Sequence, residues 1–324
     1  MTITSEDQNQ RRVEGSAVVP QQLAGQRLDQ VAAELFADYS RSQLQQWIKS
    51  GELLVDQRPG KRSQRLVGGE QLTLQARLEA HDEHRAEAIP LDILYQDDDL
   101  LVINKPAGLV VHPAAGNWSG TLQNALLHFD PELAVMPRAG IIHRLDKETS
   151  GALLVARNPA VRQALVEALQ AREVERRYIA LVWGRPPATA TVDAPIGRHP
   201  RQRTRMTVLS SGKPAVTHLR REAVWQHACK VEARLETGRT HQIRVHCSHL
   251  GYPLVGDPVY GRRKPPAGLA PELAAMLATF QRQALHAWRL ALDHPRDGQR
   301  LEIEAPVATD LAELIAACER YDAV

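Results

Sequence analysis

Residues 143–151 read His-Arg-Leu-Asp-Lys-Glu-Thr-Ser-Gly and set one carboxylate, Asp146, between the cations Arg144 and Lys147. The apolar runs Ala139–Ile142 and Ala152–Ala156 on either side predict a strand–turn–strand with Asp146 at its tip, and Thr149, Ser150 and Gly151 supply the turn chemistry. Nearby positive charge favours the ionised form of a carboxylate, so the segment can present an anion for nucleophilic or general-base work. An aspartate in a basic turn is more commonly a turn former or a surface ion pair. Chemistry needs further partners.

Two other segments offer them. Leu235-Glu236-Thr237-Gly238-Arg239-Thr240-His241-Gln242-Ile243-Arg244-Val245-His246 leaves a strand, turns at Gly238 and enters a helix that Thr240 should cap. A guanidinium such as that of Arg244 can hold a buried carboxylate by two parallel hydrogen bonds. Arg177-Tyr178-Ile179-Ala180 opens a strand, in which Tyr178 taken alone is simply a core aromatic. His241, His246, Cys247 and His249 crowd together, but their spacing matches neither the common zinc patterns nor a His-Glu-x-x-His pair, so no metal is expected. No glycine-rich phosphate loop is present, and no cofactor is expected.

The elements that must position these groups fall into two domains. Residues 1–17 read as a disordered tail, 18–78 as a small domain, 79–88 as a linker and 89–324 as a larger domain ending in a helix over Leu311–Arg320. In the small domain Leu28, Val31, Ala32 and Leu35 form one helical face. A second helix starts at Ser40, with Gln43 completing a capping box, Leu44, Trp47 and Ile48 as its buried stripe and Gly51 as its stop. The larger domain has strands at Asp99–Asn104, Tyr178–Trp183 and Cys229–Glu236, and a helix opened by Asn158-Pro159. Strands and helices mix without a regular βαβ rhythm, which argues an α+β fold.

Charge is segregated although the formal net charge is only +2. Arg198 to Arg221 holds seven basic residues and no acid, whereas Glu79 to Asp99 holds eight acids against Arg85 alone. Such a basic stretch beside an acidic one suits a polyanion-binding face with a repelling border. Three widely spaced cysteines suggest no disulfide framework, the first residues carry no apolar signal core, and no apolar run approaches a membrane span. A cytoplasmic protein with no membrane partner is expected.

The stretch His143–Gly151 resembles the signature of the RluA-type pseudouridine synthases, and Arg177–Ala180 and Leu235–His246, continued by Gly251–Gly261, resemble that family's second and third motifs. The resemblance implies a pseudouridine synthase fold, α+β with a mixed, largely antiparallel sheet flanked by helices. It implies isomerisation of uridine in RNA without a cofactor. Asp146 would be the catalytic carboxylate, acting as nucleophile at sugar or base or as a base toward the 2′ position. Arg244 would be its ion-pair partner, and Tyr178 would stack on the uracil. Arg144 would fill the place of the flipped nucleotide, Ile243 would pack beneath the base, and His143, Leu145 and His241 would complete the substrate site.

The first domain resembles the S4 RNA-binding domain through Gly25-Gln26-Arg27-Leu28-Asp29, Ser40-Arg41-Ser42-Gln43-Leu44 and Lys49-Ser50-Gly51. That implies RNA-phosphate contacts by Arg41, Lys49, Lys61, Arg62 and Arg65, to which the basic stretch adds Arg201, Arg203 and Arg205. A closer likeness within the family, carried by Pro137–Ile141, Arg198-His199-Pro200, Gly212–His218 and Arg282–Ala287, implies uridines of 23S rRNA in the stem-loop called helix 69, as free RNA or in a pre-50S particle. A monomer is expected. Glu148 and Ser150 stand where the family commonly has Asp and Thr. Other RNA uridines, or a non-catalytic ribosome-assembly factor, are the competing readings. The combination of Asp146, Tyr178 and Arg244 speaks against a pure binder, which would need none of them.

Overall fold

A computed structural model of the chain describes residues 10–36, 39, 41–79, 85–114, 117–202, 204–262 and 265–323. The chain divides into two compact units, the first ending at Asp82 and the second beginning at Glu83.

In the first unit strands β1 (Gln10–Val18), β2 (Leu53–Val55), β3 (Arg58–Pro59) and β4 (Gln71–Glu79) form a sheet in the order β1-β4-β2-β3. Helices α1 (Leu28–Leu35) and α2 (Arg41–Ser50) share with it a core that includes Leu28, Val31, Ala32, Leu44, Trp47 and Ile48. The expected disordered tail over 1–17 is corrected from residue 10 onward, and residues 1–9 lie outside the described residues. Gln10–Val18 are strand, paired residue for residue with Gln71–Glu79. Arg-Arg-Val-Glu-Gly-Ser-Ala-Val carries few large apolar side chains, so backbone pairing to β4 defines this strand more than hydrophobic alternation does. The predicted capping box of Ser40 and Gln43, Arg203 and the side chain of Arg41 lie outside the described residues.

The second unit is built on a nine-stranded sheet. Its strands are β5 (Ile93–Gln96), β6 (Leu100–Lys105), β7 (Ser150–Ala156), β8 (Glu175–Trp183), β9 (Thr189–Asp193), β12 (Val216–Val224), β13 (Ala228–Leu235), β14 (Leu285–Asp293) and β15 (Arg300–Glu304). Their order is β5-β6-β7-β14-β8-β13-β12-β9, with β15 on the free half of β14. A small ribbon of β10 (Ile196–Arg198) and β11 (Met206–Val208) stands apart. The sheet is mixed but largely antiparallel: β7 and β14 run parallel, and the other pairs are antiparallel. Helices α3 (Leu122–Phe129), α4 (Pro159–Ala171), α5 (Gln242–His249), α6 (Pro271–Thr279) and α7 (Thr309–Tyr321) flank it. Asn158 caps α4 by accepting the Val161 amide at 2.9 Å.

Central strands β6 and β7 read as continuous apolar runs because both of their faces are covered. Leu101, Ile103, Leu153 and Val155 enter one core, while Leu100, Val102, Leu154 and Ala156 enter the other with Val161 and Leu165 of α4. The first of these cores also takes Leu145, Tyr178 and Ile243, so the sheet supports the site from beneath. At the β7–β14 crossing Gly151 has φ +110°, and a Cβ there would stand 2.2 Å from the Ala287 carbonyl oxygen. Only glycine allows the two backbones to come so close.

Candidate active site

Asp146 does not sit on a regular hairpin. Residues 137–140 form a 3-10 turn, Ile141 makes a single bridge to Val155, and the segment from Ile142 to Thr149 is irregular until β7 begins at Ser150. The expected first strand is therefore corrected to a bridge and a loop. Ala139, the first residue of the predicted strand, and Arg138 just before it have φ values of +49° and +55°, so no extended run starts there.

Irregular backbone needs partners, and this loop finds them along its second half. The Thr149 amide closes a turn on the Asp146 carbonyl at 3.0 Å. The Lys147 carbonyl accepts from Lys105 Nζ and from the Gly108 amide, each at 2.9 Å. Arg282, forked onto Asp310, donates to the Glu148 carbonyl at 3.2 Å, and Gln283 donates to Thr149 Oγ1 at 3.0 Å. Ser150 Oγ hydrogen-bonds His286 Nδ1 at 2.9 Å. Lys105 is fully buried, and its other two donors reach the carbonyls of Pro106 and Leu109. Burial pushes its ammonium down to about 7, against the pull of Glu148 and Asp146.

The charge centre is a guanidinium between two carboxylates. Arg244 Nη1 donates to Asp146 Oδ2 at 3.0 Å, while its Nε and Nη2 fork onto Asp257 at 2.7 and 3.0 Å. The expected pair is present, but the two parallel hydrogen bonds expected for Asp146 go to Asp257 instead. Asp257 has a side chain with no exposure, and its Oδ1 also accepts the amides of Val259 and Tyr260 at 2.8 and 2.9 Å. Burial would raise this carboxyl, yet Arg244 and the two amides bring it below the usual carboxylate range. The Asp257 and Asp146 charges in turn hold Arg244 above its ordinary value despite its own burial. Asp257 was missed as a site residue, although Asp-Pro-x-Tyr is a readable turn signal in which a short acid accepts nearby amides.

Helix α5, which carries Arg244, has His241 rather than Thr240 as its N-cap. His241 is left-handed at φ +57° and gives no side-chain cap. Its Nδ1 hydrogen-bonds the Tyr260 hydroxyl at 2.8 Å, and its Nε2 lies 3.9 Å from Asp146 Oδ1. The Tyr260 oxygen also accepts the Met206 amide at 2.8 Å, and the guanidiniums of Arg205 and Arg244 pack over its ring at 5.2 and 5.1 Å.

Around Asp146 opens a cleft of about 530 Å³, lined by Arg144, Leu145, Tyr178, His241, Ile243 and Arg244 among others. Leu145, Tyr178 and Ile243 are buried and give it an apolar wall, while Arg144 is exposed at its edge. Burial pushes the Tyr178 hydroxyl up, so it keeps its proton at neutral pH. His143 also lines the cleft, but its Nε2 accepts the Leu154 amide at 3.0 Å. Burial, helped by the charge of Arg176, pushes this imidazole down to about 3. It is a neutral tether between the Asp146 loop and β7. His246 is likewise engaged inside the fold, with Thr217 Oγ1 and the Ala194 carbonyl.

In the first unit Lys49, Lys61 and Arg62 are exposed around a concavity of about 520 Å³ shared with Arg27, Asp29 and Gln45. Arg65 is exposed too, but donates to the Gly25 carbonyl at 2.6 Å. In the basic stretch Arg201 is exposed, Arg205 is half-buried on Tyr260, and Arg220 and Arg221 are engaged with Glu232 and the Pro186 carbonyl.

Fold and cleft thus gather a fixed carboxylate, a guanidinium and an aromatic ring around one opening. The family model for RNA pseudouridylate synthases matches residues 99–249, and that for the S4 domain matches residues 26–72. The chain belongs to the RNA pseudouridylate synthase family and is a pseudouridine synthase with an S4 domain ahead of its catalytic unit. It is similar to ribosomal large subunit pseudouridine synthase D of Xanthomonas campestris pv. campestris, with 52% identity over 302 residues, 93% of this chain and 91% of that protein. The same-named protein of Escherichia coli K12 is 49% identical over 307 residues, 94% of each. Among solved structures, human RNA pseudouridylate synthase domain containing 1 has a TM-score of 0.53 and 28% identity over 74% of this chain and 98% of its own. Human RNA pseudouridylate synthase domain containing 4 has a TM-score of 0.56 and 25% identity over 70% and 93%. Among the described residues no helix is long and apolar enough to cross a membrane.

Proposed function

We propose that the protein converts uridines of large-subunit ribosomal RNA to pseudouridine, in helix 69 of 23S rRNA, on free RNA or a pre-50S particle. The observation that carries the reading is the Asp146 carboxylate, held at 3.0 Å by Arg244 in a cleft with Tyr178 and Ile243 on its wall. The names of the relatives support the ribosomal substrate. In this reading the target nucleotide is turned out of the RNA, its uracil stacks on Tyr178 above Ile243, and Arg144 enters the vacated place. Unstacking costs a few kcal/mol, and stacking on an aromatic side chain returns about 1–3 kcal/mol per base. Asp146 starts the exchange in which the N1–C1′ bond breaks, the uracil rotates and C5 bonds to C1′. A fixed anion at that point needs no reorganisation as charge develops.

The test is Asp146→Ala in a deletion strain. Carbodiimide-based primer extension across 23S rRNA should find no pseudouridine in helix 69 with the variant and restored modification there with the wild type. RNA affinity should stay within a few-fold. Retained modification would remove Asp146 from the chemistry, and loss at uridines outside helix 69 would move the target.

A further inference from the structure

Arg176 and Tyr178 lie two apart on β8, so their side chains leave the same face, and both line the cleft. Arg177 between them faces the other way and is paired with Glu175 and Glu232. Arg176 has no such partner. It is only 7% exposed, its Nε is buried without a hydrogen bond, and no carboxylate among the described residues pairs with it. The acids of the cleft are engaged elsewhere, Asp146 with Arg244 and Glu236 with Arg172 and His218. A Cβ on Gly238, another cleft-lining residue, would stand 2.9 Å from Arg176 Nη1.

A buried, uncompensated cation destabilises the protein that carries it, and it persists where a ligand supplies the missing anion. We propose that Arg176 is a phosphate-binding residue, taking a phosphate that flanks the target nucleotide when that nucleotide enters the cleft. The proposal rests on the reading above that a nucleotide is turned into this cleft. A phosphate rather than a uracil carbonyl is the partner, because a planar guanidinium fork matches phosphate oxygens and a neutral carbonyl leaves the charge uncompensated.

Thermal melting of the full-length wild type and of Arg176→Met and Arg176→Lys, each with uridine 5′-monophosphate or with uridine, tests this directly. Without ligand the methionine variant should melt higher than the wild type, a result that a structural role for the arginine would reverse. The nucleotide should protect the wild type more than the nucleoside, and this preference should shrink in the methionine variant and survive in the lysine variant. On ribosomal RNA the methionine variant should show KM raised about tenfold with kcat nearly kept. A lower melting point for Arg176→Met, equal protection by uridine, or an unchanged nucleotide preference in the variant overturns the proposal. Phosphate-dependent protection through Arg176 in an enzyme that forms no pseudouridine in ribosomal RNA would instead overturn the function proposed above and leave this site standing.

Discussion

A cluster of exposed cations in the S4 unit contrasts with one buried guanidinium in the catalytic unit. In the S4 unit Lys49, Lys61 and Arg62 stand exposed around an open concavity. In the catalytic unit Arg244 is buried between two carboxylates and under the Tyr260 ring. Exposed cations meet a polyanion by releasing its counterions, so they contribute affinity that salt screens and that reads little sequence. A buried guanidinium with every direction fixed contributes little affinity. It sets instead where the Asp146 carboxylate points. One unit is built to hold RNA and the other to aim an anion, and substitutions should separate the two.

The largest effect should come from cutting the buried pair. Arg244→Ala strands Asp257, whose side chain is unexposed, and removes the donor from Asp146. Loss of one partner of such a pair typically costs about 3–5 kcal/mol, so activity should vanish and the denaturation midpoint should drop sharply. Asp257→Asn should lose activity almost as fully while Asp146 is intact, measurable as single-turnover pseudouridine formation. An active Asp257→Asn enzyme would mean that the fork onto Asp257 is dispensable for aiming Arg244.

Tyr260→Phe should cost less. It keeps the ring against Arg244 but deletes the hydroxyl that meets His241 and the Met206 amide. A kcat lower by roughly tenfold, with RNA affinity unchanged, is expected if Asp146 does the chemistry proposed above, because a group beside it is misplaced. His143 sharpens the comparison through pH. Its folded value of about 3 lies below the ordinary 6.5, so between those values the unfolded chain binds the extra proton. Stability should therefore fall as pH drops from 6.5 toward 3. His143→Gln should make that decline shallower in acid denaturation, while buried His246 and His286, also held low, keep part of it.

The smallest effect per residue belongs to the S4 unit. Lys61→Ala with Arg62→Ala should weaken RNA binding across sequences and reduce the salt slope by about one per cation, with kcat at saturating RNA unchanged. A change in kcat from this pair would break the division of labour between the units.

Much of this was legible in the sequence. Asp146, Tyr178 and Arg244 were singled out by motif, and the structure gathers all three around one cleft. Helices α1 and α2 followed from apolar spacing and α4 from its asparagine cap, because local periodicity and capping operate within a few residues. Strand β1 was not legible, since its partner is β4, far along the chain, and its own residues hardly alternate. Nor was the loop around Asp146, whose supports Lys105, Arg282, Gln283 and His286 come from two distant segments.

What the order of residues decides alone is which groups exist and which local turns and helices they favour. It determined the anion, the aromatic and the guanidinium, and a small domain ahead of them with cations at Lys49, Lys61, Arg62 and Arg65. Only the folded chain decided where each guanidinium aims: Arg244 forks onto Asp257 and offers Asp146 a single donor, while Arg176 finds no carboxylate. The physical reason is that ion pairing and desolvation depend on direction and depth in three dimensions. Spacing along a chain specifies neither.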